Sequence, residues 1–151
     1  MQKIALATPF RIIGAVWIIG GGLTAAVTGP LNLADGSWAA AFAVLIGGVA
    51  QYTIGVVQDA LASKRPTKRV VLAELVAWNA GCLAVILGTV TTLPIIVHVG
   101  GLSLVAALAL LIVTVRGRAE PRWALWTYRT LLVIILVSIP IGLTLAHVRA
   151  G

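Results

Sequence analysis

The stretch VVLAELVAWNAGCLAVILGTVTTLPIIVHVGGLSLVAALALLIVTV occupies residues 70–115 and carries a single charge, that of Glu74. As one straight helix, its roughly 46 residues would be about 69 Å long, or twice the thickness of a bilayer core. The stretch must therefore form two membrane-spanning helices. Pro94 marks the break because proline favours the first turn of a helix. We predict spans at about 70–91 and 94–115.

Three further apolar segments flank this stretch, at about 9–29, 38–62 and 130–146. Pro140 lies inside the last segment and is expected to kink it. The first segment follows Lys3 and Arg11 and so resembles a signal peptide, but we interpret it as a first span and not as a cleaved leader. The sequence thus predicts an all-α integral membrane bundle of five transmembrane helices in a single transmembrane domain.

The composition excludes an ordinary soluble domain. Hydrophobic residues make up 60% of the chain, charged residues 10%, and the mean hydropathy is +1.08. A soluble domain carries about 25% charged residues, which it needs to cover its core with a wettable surface. The net charge of +7 does not indicate a nucleic-acid partner, because the basic residues lie in short clusters between apolar runs. The lipid bilayer is the expected surrounding.

The basic residues also predict the orientation of the chain in the membrane. Of the 11 lysines and arginines, two lie in the tail 1–11, four in the loop 63–69 and four in the loop 116–129. Arg149 is the remaining one. Basic loops stay in the cytoplasm, so we expect a cytoplasmic N-terminus and an external C-terminus.

Small residues recur every four positions in the first two spans, a pattern that lets helices approach closely in lipid. We interpret both lines as packing within the chain or as a seam for another copy or another subunit. The lines are Gly21, Ala25 and Gly29 in the first span, and Ala43, Gly47, Gln51, Gly55 and Asp59 in the second.

Gln51 and Asn79 are the polar residues predicted to lie deepest in the membrane. Each is ten or eleven residues from the cytoplasmic end of its span, about 15–16 Å deep. We predict a hydrogen bond between them that stabilises the second span against the third by about 0.6 kcal/mol. The other interpretation is contact with a substrate or an ion.

A second polar group lies closer to the cytoplasmic border, and we expect interhelical ion pairs and hydrogen bonds within it. A carboxylate at that depth beside an arginine more often forms a structural ion pair than a proton relay. Its members are Gln58, Asp59 and Glu74, with Arg11, Arg69 and Arg129 as counter-charges.

His98 and His147 are predicted to lie at matching depth near the outer face, on different helices. Such a pair has the chemistry to ligate a haem b or a copper ion. The alternative is that both are ordinary interfacial histidines. Nothing in the sequence pairs a nucleophile with a base, and the loops are too short to build an active site, so we predict a protein that is not an enzyme.

The segments GSWAAAFAVLIGGVAQ (36–51), VAWNAGCLAVILGT (76–89) and YRTLLVIILVSIPIGL (128–143) resemble uncharacterised small polytopic membrane proteins of high-GC Gram-positive bacteria. That resemblance implies a multi-pass protein of the bacterial inner (plasma) membrane and carries no activity with it.

Three functions remain open from the sequence. The preferred one is a non-enzymatic structural or accessory subunit of a membrane complex, such as a respiratory assembly, either as a homo-oligomer or with other membrane subunits. The second is a haem b or copper protein that transfers electrons through His98 and His147. The third is a small oligomeric transporter or channel around Gln51 and Asn79.

Overall fold

The computed structural model describes residues 8–61, 67–114, 126, 129–130, 132–135 and 137. Within these residues, four helices are long and apolar enough to cross a membrane. The prediction of an all-helical, multi-span chain is confirmed. Helix 1 is Thr8–Thr28, helix 2 runs over 36–61, helix 3 is Lys68–Val90 and helix 4 is Pro94–Thr114.

The helix ends fall within two residues of the predicted ones, and Pro94 opens helix 4 as expected. Of the predicted fifth span, residues 130, 132–135 and 137 are helical, and the rest lies outside the described residues. A fifth span and the orientation of the chain stay predictions. The chain divides into two compact units, Met1–Ala60 and Leu61–Gly151. The single transmembrane domain stays a prediction.

In the first unit, helix 1 packs against the first two segments of helix 2, Gly36–Phe42 and Ala43–Ala50. The second of these segments is a π-helix, a wider winding than the α-helix of Gln51–Leu61 that follows it. The close contact depends on glycine. A Cβ atom on Gly21 would lie 2.7 Å from Cγ2 of Val44, and one on Gly48 would lie 2.5 Å from Cγ1 of Ile18.

Of the predicted line Gly21, Ala25 and Gly29, only Gly21 lies against helix 2. Gly21 is buried, but Ala25 and Gly29 are exposed, and a Cβ on Gly29 would meet nothing within 4 Å. A step of four residues advances about 40° around an α-helix, so the line turns away from helix 2. Gly14, seven residues before Gly21, stays on the contact face: a Cβ there would lie 2.9 Å from the carbonyl oxygen of Gly48.

In the second unit, helices 3 and 4 form an antiparallel hairpin with its turn at residues 91–93. Thr92 adopts a left-handed conformation with φ 54°, and the amide of Leu93 donates back to the carbonyl of Gly88 at 2.8 Å. Close approach again depends on glycine, because a Cβ on Gly88 would lie 2.7 Å from the amide nitrogen of Val97. The buried face of helix 3 holds Val71, Glu74, Leu75, Trp78, Gly81, Cys82, Val85 and Gly88.

The orientation can be tested by thiol labelling, because the native Cys82 is fully buried and should react slowly. We expect Asp35→Cys to react with an impermeant maleimide in intact cells. Thr67→Cys should react only after the membrane is opened, since loop 63–69 is predicted to be cytoplasmic. Both positions are exposed, so they serve as mutual controls. The reverse order of labelling would contradict the predicted orientation.

Candidate functional site

Gln51 is the most unusual polar residue of the first unit. It begins the last α-helical segment of helix 2, immediately after the π-helix, and its side chain has 0% exposure. Within the described residues, neither its amide nitrogen nor its amide oxygen has a hydrogen-bond partner. An unpaired buried amide costs several kcal/mol in an apolar medium, about 2–7 depending on the reference state. Gln51 therefore either destabilises the protein or makes hydrogen bonds to a group outside the described residues.

Asn79, the predicted partner of Gln51, belongs to the second unit. Its side-chain nitrogen donates to the carbonyl of Leu75, one turn earlier in helix 3, at 2.8 Å. This bond within the helix offsets much of the cost of placing an amide in lipid. Because Gln51 and Asn79 lie in different units, the hydrogen bond predicted between them stays a prediction.

The second unit buries further polar groups on helix 3. Glu74 and Trp78 are one turn apart on the same face, and both have 0% exposure. The indole N–H of Trp78 has no hydrogen-bond partner within the described residues. From helix 4, the hydroxyl of Ser103 donates to the carbonyl of Ala77 at 2.8 Å and so joins the two helices by a polar contact. The sequence does not predict these two features, because Trp78 and Ser103 look like ordinary span residues.

Arg11 contacts the aromatic side chain of Tyr52, a contact that the sequence does not predict. Its guanidinium carbon lies 5.5 Å from the centroid of the Tyr52 ring, and Nη2 donates to the Tyr52 hydroxyl at the long distance of 3.5 Å. Arg11 was predicted to pair with a carboxylate instead. The depth of a residue along a helix can be counted from the sequence, but the direction in which it points cannot.

His98 is exposed near the start of helix 4, and its Nδ1–H donates to the carbonyl of Pro94 at 2.6 Å. A backbone carbonyl only accepts, so Nδ1 carries the proton and Nε2 is left as the ring atom with ligating character. His147 lies outside the described residues. The two-histidine site therefore stays a prediction.

The other predicted site residues are described only in part. Glu74 is buried and Arg129 is half-buried, while the side chains of Gln58 and Asp59 lie outside the described part of the chain. Among the described residues, no group of three or more histidine, cysteine or acidic side chains is placed to hold a metal ion.

The four long apolar helices and the scarcity of charge inside them define the class: a multi-pass helical membrane protein. The chain matches no protein-family model, no curated protein and no solved structure. The resemblance to small membrane proteins of high-GC Gram-positive bacteria accordingly stays an expectation.

Proposed function

We propose that this chain is a non-enzymatic accessory subunit of a membrane complex, and that it packs against other transmembrane helices through helix 1. The observation that carries this proposal is the low burial of helix 1. In the most apolar part of helix 1, 17% of the residues are buried, against 39% in each of the other three spans. We propose a bacterial plasma membrane as the location, with a respiratory assembly as one example of such a complex.

The glycines of helix 1 indicate which of its faces meets a partner. Gly14 and Gly21 allow close contact with helix 2, but Cβ atoms on Gly20 and Gly22 would meet nothing within 4 Å. A glycine inside a helix costs about 1 kcal/mol relative to alanine, so one with no contact needs another reason. Gly22 shares an exposed face with Ala26, four residues later, which is the spacing by which membrane helices associate.

This face is continued by residues spaced alternately by three and four, the repeat that keeps side chains on one side of a helix. Its members are Ala15, Ile19, Gly22 and Ala26. Ile19 is 63% exposed, so the face lies open to lipid or to a neighbouring helix and not to helix 2. We call it the outer face of helix 1.

The proposal predicts that Gly22→Leu releases the chain from its complex, because leucine would hold a neighbouring helix away from the outer face. Gly20→Leu is the matched control, since Gly20 has equally open space but points about 160° away around the helix. Blue-native electrophoresis of mildly solubilised membranes measures the complex. Two differently tagged copies distinguish self-association from another subunit. A wild-type chain that migrates alone, or equal behaviour of both variants, would contradict the proposal.

A second candidate function is favoured by the orientation of His98. A ligating histidine commonly donates its other ring N–H to a backbone carbonyl, as His98 does to Pro94. If the protein carries haem, the purified chain has a Soret band that His98→Ala and His147→Ala each abolish. We expect a colourless protein, in which both substitutions leave the absorbance unchanged. The transporter alternative around Gln51 and Asn79 stays a prediction.

A further inference from the structure

Arg11 and Tyr52 form a preorganised pair near the start of helix 1. Arg11 lies three residues after the start of helix 1, about 4–5 Å from that end. The candidate span of helix 2 ends at Val57 and not at the predicted residue 62, so Tyr52 lies five residues from its end, about 7–8 Å deep. The same count places Gln51 about 9 Å deep, which is shallower than the 15–16 Å predicted from the sequence. The side chains of Arg11 and Tyr52 are both exposed. This is the level at which arginine and tyrosine meet lipid headgroups.

Gly14 allows the close packing of helix 1 on helix 2 that brings Arg11 and Tyr52 together. A Cβ on Gly14 would lie 2.9 Å from the amide nitrogen of Tyr52 and 3.1 Å from its Cβ, so only glycine lets Tyr52 come this close to helix 1. Arg11 is one turn before Gly14, and its guanidinium rests against the tyrosine ring. The ring restricts the long arginine side chain before any ligand arrives, which lowers the entropy cost of binding.

The charge of Arg11 is not neutralised by the described residues. Its contacts there are the ring and the hydroxyl of Tyr52, and it touches no described carboxylate. Asp35 is at the other end of the first unit, in the turn between helices 1 and 2. An exposed guanidinium with free N–H groups matches the geometry of a phosphate, to which it can donate two parallel hydrogen bonds.

We propose that Arg11 and Tyr52 bind the phosphate headgroup of an anionic phospholipid. The guanidinium neutralises the phosphate, and the tyrosine hydroxyl donates to one of its oxygens. An apolar line of exposed side chains continues from Tyr52 along helix 2 toward the membrane interior, through Val49 and Leu45, which are 45% and 59% exposed. An acyl chain can lie along these apolar side chains. We therefore propose a lipid, and not a soluble phosphate, as the ligand.

The proposal is tested by native mass spectrometry of the full chain in detergent, titrated with phosphatidylglycerol and with phosphatidylcholine of the same acyl chains. We expect the wild type to prefer phosphatidylglycerol, and Arg11→Gln to lower its affinity for that lipid about fivefold, the scale of one basic residue at a membrane surface. Arg11→Lys should lose part of this affinity, because it keeps the charge but not the planar fork. Tyr52→Phe should also weaken binding.

The matched control is Arg69→Gln, which removes an exposed arginine from the first turn of helix 3. It should leave the lipid preference within error of the wild type. Circular dichroism confirms that each variant is folded before its binding is compared. If Arg11→Gln and Arg69→Gln lost equal affinity for phosphatidylglycerol, the preference would come from the overall positive charge and not from a site at Arg11, and the proposal would be overturned. Equal binding of both lipids by the wild type, or displacement of phosphatidylglycerol by inorganic phosphate, would also overturn it.

Discussion

Replacing Gly21 by leucine is expected to separate helix 1 from helix 2. Even the first added atom, Cβ, would lie 3.0 Å from the carbonyl oxygen of Ala40 and 3.0 Å from the amide nitrogen of Val44. These are backbone atoms that cannot move aside as a flexible side chain would. Overpacking of this kind costs typically 1–3 kcal/mol and more where the backbone must shift, so we expect a loss of about 3 kcal/mol or more.

The neighbouring glycines are the controls for this experiment. Gly20→Leu and Gly22→Leu add the same side chain at positions with open space, so both should keep the stability of the isolated chain. Thermal unfolding in detergent can be followed by tryptophan fluorescence, since Trp17 packs over Gly47 in the same contact. Similar melting temperatures for all three variants would show that helix 1 does not approach helix 2 through Gly21.

Replacing Gln51 by leucine is expected to stabilise the protein. The side chain of Gln51 is fully buried, and both of its polar atoms lack a partner within the described residues. Leucine has a similar size and no polar atoms, so it removes the desolvation penalty of an unpaired group, about 1–3 kcal/mol. Reversible unfolding of the purified chain measures the change in the free energy of unfolding.

The sign of this change separates two accounts of Gln51. If Gln51 bonds to Asn79 as the sequence predicts, Gln51→Leu destabilises the chain by about 0.6 kcal/mol. The double variant with Asn79→Leu then loses less than the sum of the single changes. Asn79→Leu alone is informative as well, because it removes the bond from Asn79 to the Leu75 carbonyl.

The positions of the helices could be predicted from the sequence because they depend on length and charge. A run with Glu74 as its one charge is too long for one span, and Thr92 and Pro94 offer the place to turn. Counting residues from the end of a span also gives the depth of a side chain in the membrane, and this count places Arg11 at the membrane border. These predictions need no knowledge of which way a side chain points.

The contacts could not be predicted because they depend on the rotation of each helix. In a membrane, apolar residues cover every side of a span, so hydropathy does not distinguish the packed face from the lipid face. Gly20, Gly21 and Gly22 are equivalent in the sequence, yet only Gly21 lies against helix 2. Tyr52 was missed for the same reason: its contact with Arg11 depends on its closeness to Gly14, a glycine on another helix.

The hydrogen bonds that polar side chains make to their own helices bear on the order of assembly. Thr24, Asn79 and Thr89 each donate to a carbonyl four residues earlier, at 2.8–2.9 Å. A helix that satisfies its polar groups alone can enter the bilayer from the translocon before it has a neighbour. Ser103 differs, since its acceptor is on helix 3, and its bond forms only when helix 4 has arrived. The amide of Asn79 and the hydroxyl of Thr89 thus have partners before helix 4 arrives, whereas the hydroxyl of Ser103 gains its helix 3 partner only when the hairpin closes.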